Sequence, residues 1–314
     1  MELGNTLREA VIYFQDYDNC RKFMVNLRWP DGVVRCPRCN SDHVKYLEKA
    51  RVWKCYSKHE SPKFSLKTGT IFEDSPLGLN KWLPAVWMIV NDKNGISSWE
   101  LHRALGVTQK TAWFMLHRIR LAMQDDKGGK LSGEVEVDES MVGGKARNMH
   151  KNKRAEKIHG TGGMDKEIVF GMVERDGRVR ALHVDSRRRH ALQKAIRDNV
   201  EAGSAIFTDE LLSYQGLAED YDHEVINHAV EYVNGNVHTN TMENFWSLLK
   251  RSLHGTYVSV EAFHLFRYID EQAFRYNTRK ELNDRARFAL ALSQIVGKRL
   301  TYKELTGKEG TTAL

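Results

Sequence analysis

Gly133-Glu134-Val135-Glu136-Val137-Asp138-Glu139-Ser140 alternates in the manner of a β-strand and carries Asp138 near its centre. Two further strands follow, Glu167 to Glu174 and Arg178 to Val184, separated by Arg175-Asp176-Gly177, a turn signal that closes a hairpin. A helix is expected from about His190 to Val200. Ser204-Ala205-Ile206-Phe207-Thr208-Asp209 then reads as a short apolar strand ending on a second aspartate. A helical segment near Tyr214 to Tyr221 and a strand from Glu224 to Asn227 precede a last helix.

That last helix is Thr239-Asn240-Thr241-Met242-Glu243-Asn244-Phe245-Trp246-Ser247-Leu248-Leu249-Lys250-Arg251. At about 100° per residue, Asn240, Glu243, Ser247 and Lys250 share one narrow face, and Met242, Phe245, Trp246, Leu248 and Leu249 occupy the opposite arc. Taken alone this is equally the pattern of an amphipathic surface helix with an i,i+7 charge pair. The whole order, three strands, helix, strand, helical segment, strand, helix, is the layout of a ribonuclease H-like fold. In that layout the adjacent first and fourth strands bring Asp138 and Asp209 together, and the later helix brings Glu243. An aspartate at a strand end is otherwise a turn residue or a helix cap. Three carboxylates in these positions can hold two divalent cations for an in-line displacement at phosphorus. An all-oxygen ligand set points to Mg²⁺ or Mn²⁺.

The chain resembles insertion-sequence transposases of the DDE superfamily, most closely the IS1595 family (the ISXO2-like group). The resemblance rests on Val137-Asp138-Glu139-Ser140 with Gly143-Gly144-Lys145, Phe207-Thr208-Asp209, the His238 to Arg251 block, Gly255-Thr256-Tyr257 and Phe274-Arg275-Tyr276-Asn277-Thr278-Arg279. Cys36-Pro37-Arg38-Cys39 and Gly69-Thr70-Ile71-Phe72-Glu73 extend it toward the amino terminus. In this family the third catalytic position is Asn or Glu, followed by Lys. Glu243 is therefore assigned as the third carboxylate, Asn240 as a supporting residue beside it, and Lys250 as a point charge that positions DNA without taking part in proton transfer.

With 314 residues and a net charge of +7, the chain has room for two or three domains and a bias toward polyanions, which many proteins without a nucleic-acid role share. The longest apolar run, around Trp82 to Val90, is interrupted by Pro84 and too short for a bilayer, and no signal peptide is read at Met1. No membrane association is expected, and the cytoplasm, in association with the nucleoid, is the expected location. Gly143 to Lys166, with Lys145, Arg147, Lys151, Lys153, Arg154 and Lys157, reads as a long loop, either a solvated surface or a flap that contacts DNA.

Four cysteines, two of them in Cys-x-x-Cys, suggest metal binding in a reducing compartment rather than disulfides. Cys36 and Cys39 form one knuckle. Cys55 and His59, at Cys-x3-His spacing, supply the other two ligands of a structural Zn²⁺ in a zinc ribbon, with Glu60 or water as alternatives to His59. Cys20 lies in a helical pattern with Phe14, Phe23 and Leu27 and reads as a core thiol. Arg35, Arg38, Lys45, Arg51, Lys54, Lys63 and Lys67 are interleaved with Tyr46, Trp53 and Phe64, cations suited to phosphate around rings that stabilise a small domain. Beyond Pro76, Lys81 to Val90 reads as a helix. Ser97-Ser98-Trp99-Glu100 resembles a capping box opening a short helix that ends at Leu105-Gly106, and Thr108 starts the next, to about Met123. The pair is either a helix-turn-helix presenting Gln109, Lys110, Thr111 and His117 or a plain helical linker.

The expected organisation is an N-terminal helix and zinc ribbon (1–75), a helix-turn-helix region (76–128), a ribonuclease H-like catalytic domain (129–285) and a C-terminal tail (286–314). The expected function is a DNA transposase that binds the terminal inverted repeats of its element, cleaves there with divalent metal, and transfers the strands to target DNA. Its partners are double-stranded DNA at the element ends and target, and further copies of the chain in a dimer or larger synaptic complex. Two other readings share these residues: a zinc-ribbon and helix-turn-helix regulator with an inactive ribonuclease H-like domain, and a hydrolytic nuclease without strand transfer.

Overall fold

The computed structural model describes residues 3–125, 128–144, 149–157, 166–175, 177–225 and 240–307. In chain order the elements are α1 (Leu7–Gln15), α2 (Tyr17–Arg28), β1 (Val44–Leu47), β2 (Val52–Cys55), β3 (Lys63–Phe64), α3 (Leu79–Asn91), α4 (Ser98–Leu105), α5 (Gln109–Ala122), β4 (Glu134–Val142), α6 (Lys151–Lys157), β5 (Glu167–Glu174), β6 (Val179–Val184), α7 (Arg189–Asn199), β7 (Ala205–Thr208), β8 (Asp222–Val225), α8 (Asn240–Arg251), α9 (Leu265–Asn277), α10 (Asp284–Ser293) and α11 (Tyr302–Leu305). They form two compact units, one of residues 1–124 with 278–314 and one of residues 125–277.

In the first unit the helices begin on local signals. Thr6 and Glu9 form a capping box on α1, Ser97 and Glu100 another on α4, and Thr108 caps α5. Gly106 ends α4 at φ 58°, a left-handed conformation in which glycine avoids a Cβ clash. The core is aromatic: Phe14 meets Phe23 edge-on at 5.3 Å, Phe23 stacks on Phe288 at 5.8 Å, and Trp87 meets Phe288 at 5.1 Å. Cys20 is fully buried beside them, its thiol pushed up to about 12 by burial, in keeping with a core thiol.

Two details of this unit depart from the sequence reading. The segment expected as a tail from 286 packs inward, with Phe288, Ala291 and Leu292 fully buried on α10, and Arg287 donating to Asn91 at 2.8 Å. His117, expected on the DNA-facing side of α5, is fully buried, because α5 is covered along most of its length. Of the other three residues expected there, Lys110 is exposed and lies over the Tyr302 ring at 4.7 Å, Thr111 is half-buried, and Gln109 donates to Ser98 at 2.8 Å. The helix expected over Lys81 to Val90 runs through Pro84 as read: α3 spans Leu79–Asn91, and Pro84, which has no N–H, leaves one backbone hydrogen bond unmade. Among the described residues no helix is long and apolar enough to cross a membrane.

The second unit is built on a five-stranded sheet of order β6-β5-β4-β7-β8. β5 runs antiparallel to its neighbours β4 and β6, whereas β4, β7 and β8 run parallel. Side-chain alternation decides what each face receives. Val135, Val137, Phe170 and Met172 point to one face and pack with Leu192 and Ile196 of α7. Val169 and Val173 point to the other and pack with Met242, Phe245, Trp246 and Leu249 of α8 and with α9. Glu136 and Asp138, out of phase with the valines, therefore lie on the α8 face.

Differences from the expected elements are small and local. The helical segment expected at about Tyr214 to Tyr221 is two short 3₁₀ helices, Leu212–Tyr214 and Leu217–Glu219. The edge strand starts at Asp222, and Asn227 lies outside the described residues, as do Lys145, Arg147, Asp176, His238 and Thr239. The expected loop from Gly143 to Lys166 contains α6, where Lys151 and Arg154 are exposed. A π-helical stretch, Ser252–Tyr257, continues from α8.

Candidate metal centres

The first centre lies in the amino-terminal knuckles. One ligand atom from each of Cys36, Cys39, Cys55 and His59 falls within 4.8 Å of the others. Cys36 Sγ is 3.6 Å from His59 Nε2, and Cys39 Sγ is 3.7 Å from Cys55 Sγ. A tetrahedron with zinc–sulfur bonds of about 2.3 Å has edges of about 3.7 Å, so this donor set fits zinc. His59 Nδ1 is buried without a hydrogen-bond partner, which leaves Nε2 as its working nitrogen. Burial works to raise the Cys55 thiol, but hydrogen bonds from His59, Ser57 and Cys39 outweigh it and bring the thiol down to about 6, toward the thiolate that metal requires. The three-stranded sheet behind the knuckles is held by Trp53 stacked on Phe64 at 5.9 Å, so those rings are structural. Two of the basic residues read as DNA contacts also serve the fold: Arg38 donates to Ser61 O and Lys63 O, and Lys67 Nζ to Ser75 O and Leu77 O.

The second centre lies where β7 ends beside the middle of the parallel strand β4. Carboxylate oxygens of Asp138, Glu139 and Asp209 fall within 4.8 Å of one another. Asp209 follows the last residue of β7, and its Oδ1 accepts from the Leu211 amide at 3.1 Å. Asp138 Oδ2 accepts from Trp246 Nε1 at 2.8 Å, and its Oδ1 from the Glu139 amide at 2.7 Å. Glu139 reaches from the opposite face of β4, where Tyr214 donates to its Oε2 at 2.5 Å and Arg187 to its Oε1 at 3.2 Å. Glu243 and Lys250, with Ser247 and Trp246, line the cavity over Asp138 and Glu139. Asn240 is exposed at the first position of α8 and is not among the lining residues.

Alternation on a strand directs neighbouring side chains to opposite faces, so Glu139 gave no signal beyond its place next to Asp138. Trp246 was read only as a packing residue; it is buried and also holds Asp138. The close approach of α8 that allows this requires Gly171, which pairs with Asp138 across β4 and β5: a Cβ there would lie 2.3 Å from Met242 Cε and 2.7 Å from the Trp246 ring.

Burial raises the Asp138 carboxyl above its ordinary 3.8, and the charges of Asp209 and Glu243 push the same way against the Trp246 and Glu139 hydrogen bonds. Burial likewise raises Glu139 above 4.5, opposed by Tyr214 and Arg187. Both groups show a concentration of negative charge that a hard cation would relieve. Oxygen ligands at about 2.0 to 2.6 Å span about 4 to 5 Å across such a cation, so the carboxylates fit a hard divalent ion. A raised native carboxyl favours the folded state when protonated and loses that contribution as pH climbs from 3.8 through the native value. Asp138→Asn is therefore expected to raise the thermal midpoint of the chelator-treated protein at pH 7.5. The gap should close near pH 4. Melting curves at the two pH values check this, and a variant less stable than wild type at both would contradict it.

Comparison with known proteins gives a family match in each unit. A transposase zinc-ribbon domain family matches residues 15–57, and the ISXO2-like transposase domain family matches residues 130–277, nearly the whole second unit. A protein of Halobacterium salinarum, described as an uncharacterized protein in transposable element ISH50, is 30% identical over 241 residues, covering 73% of this chain and 81% of its own length. The class these matches define is the insertion-sequence transposases. The chain belongs to the ISXO2-like (IS1595) transposase family.

Proposed function

We propose that the chain is a DNA transposase that binds the terminal inverted repeats of its element, cleaves there and joins the freed 3′ ends to target DNA. The observation that carries this reading is the convergence of Asp138, at the middle of β4, with Asp209, just past the end of the parallel strand β7, and the placement of Glu243 and Lys250 in the lining of the cavity over Asp138. The strand order and directions support a ribonuclease H-like domain around that cavity. The knuckles and the α4–α5 pair in the other unit support a zinc ribbon and a helix-turn-helix that read DNA, and the net charge of +7 suits a polyanionic partner. Two ends and one target in a single event call for a dimer or larger assembly.

In this reading Asp138, Asp209 and Glu243 hold Mg²⁺ or Mn²⁺. When bound, such cations supply Lewis acidity to the attacking and leaving oxygens of an in-line displacement at phosphorus. The protein's own groups fix the geometry. Trp246 and the Glu139 amide orient the Asp138 carboxylate, and Tyr214 with Arg187 orients Glu139 next to Asp209. In the cleavage step water forms the new bond to phosphorus and the 3′ oxygen leaves. In the transfer step that 3′ oxygen attacks a target phosphate and expels the target's 3′ oxygen.

Lys250 stands two turns beyond Glu243, about 10 Å along the helix axis, so its long side chain can pair with a phosphate beside the scissile one. Lys250→Ala is expected to lower cleavage and strand transfer by about 10²-fold, Lys250→Arg to retain much of both, and the loss to shrink at low salt, where electrostatic binding is tighter. The test is nicking of DNA bearing the element ends across a salt series. Unchanged activity in the Ala variant would assign Lys250 to the solvated surface, and complete inactivity of both variants at every salt concentration would remove the charge-positioning role. Absence of any Mg²⁺-dependent nicking by the wild-type protein, with end binding retained, would favour the regulator over the transposase.

A further inference from the structure

Glu136 is a carboxylate with no solvent exposure, two residues before Asp138 on the same face of β4. A charge in that position is unfavourable unless it is fully partnered. Its Oε2 accepts from the Thr241 and Met242 amides, both at 3.0 Å, and its Oε1 from Thr241 Oγ1 at 3.0 Å and Arg175 Nε at 3.3 Å. The two amides belong to the first turn of α8, where unpaired N–H groups and the helix dipole favour an anion. Arg175 in turn binds Glu134 at 2.8 Å and lies over the Phe207 ring of β7 at 4.0 Å. The Glu136–Arg175 pair thus joins β4, β7 and α8, the three elements that carry Asp138, Asp209 and Glu243.

We propose that Glu136 is a positioning residue: it ties the start of α8 to the central strand and so sets how far Glu243 stands from Asp138 and Asp209. This rests on the reading of those three carboxylates as one divalent-metal site. Glu243 lies one residue past Met242, so a helix start released from Glu136 moves Glu243 directly. Asp138, fixed by the ladder between β4 and β5, stays in place. Trp246, which holds Asp138, lies nearly a turn further along α8, so the effect of losing Glu136 passes first through Glu243.

The test is Mn²⁺ binding by the full chain, measured calorimetrically without DNA, in a double-mutant cycle. Glu136→Gln keeps the side-chain volume but sets an amide N–H against the helix amides. It is expected to raise the Mn²⁺ concentration for half-occupancy by about 10- to 100-fold, as loss of an outer hydrogen bond to a metal ligand does. In a Glu243→Gln background the same change is expected to shift Mn²⁺ binding less than about 2-fold, since the residue it acts through is already gone. A general loosening of the sheet would weaken binding equally in both backgrounds, and that result would overturn the proposal. If Glu136→Gln does not fold, Thr241→Val removes only the hydroxyl donor and is expected to weaken binding about 5-fold, again only when Glu243 is present. Mn²⁺ binding that Asp209→Asn reduces and Glu136→Gln and Thr241→Val leave at the wild-type value would overturn the positioning role alone. Binding unaffected by Asp209→Asn would overturn the metal-site reading with it.

Discussion

Asp209→Asn is expected to reduce Mg²⁺-dependent nicking of DNA carrying the element ends by about 10³-fold or more, while end binding stays within about 2-fold of wild type. The separation follows from where Asp209 sits. It leaves β7 at the mouth of the second unit's carboxylate cluster, whereas the knuckles and the α4–α5 pair belong to the other unit. Asp138→Asn and Glu243→Gln are expected to behave in the same way. Paired gel-shift and nicking assays read both quantities, and nicking by the Asp209 variant at the wild-type rate would remove that residue from the site.

Loss of zinc is the second large effect. Cys55→Ser is expected to bind less than a tenth of the zinc held by wild type and to lose specific end binding by about 10³-fold, down to the non-specific level. The strands behind the knuckles are short, Val44–Leu47, Val52–Cys55 and Lys63–Phe64, and their core rests on Trp53 and Phe64. Structural zinc contributes on the order of 10 kcal/mol to modules of this size, far more than two buried rings. Metal analysis and limited proteolysis around residues 30–68 check the prediction. Full zinc occupancy in Cys55→Ser would contradict it, and full occupancy in His59→Ala would remove that histidine from the ligand set.

The course of the second unit was legible because its strands alternate and its turns are marked. Glu167–Glu174 is found as read, and α7 and α8 fall within a residue or two of their expected limits. The capping boxes and Gly106 likewise marked α4 and α5. Burial was harder to read. His117 lies between apolar and basic neighbours on α5, yet it is fully buried, with the Trp113 ring edge-on to it at 4.6 Å. Phe288 was hidden in a stretch that looked like a tail, because its partners Phe14, Phe23 and Trp87 are remote in sequence.

In the carboxylate site, Asp138 stood out near the middle of its strand, Asp209 at the end of its own, and Glu243 and Lys250 through helical spacing. Glu139 and Glu136 did not, because their roles depend on partners remote in sequence: Tyr214 and Arg187 for the first, and Arg175, Thr241 and the start of α8 for the second. An acidic residue within a strand is usually solvated, so only the paired structure distinguishes these two from the exposed Glu134. Asn240 shared the active face on a helical wheel, but it sits at the exposed first position of α8, away from the cavity lining.

The most direct measurement is strand transfer by the purified protein with Mg²⁺, a labelled DNA fragment carrying an element end with its 3′-hydroxyl exposed, and a plasmid target. The account expects the label to become joined to the plasmid through that 3′ end, with no product from a 3′-deoxy fragment and none from the Asp209→Asn protein. Hydrolytic nicks without joining, or joined product that survives loss of the 3′-hydroxyl or of Asp209, would contradict it.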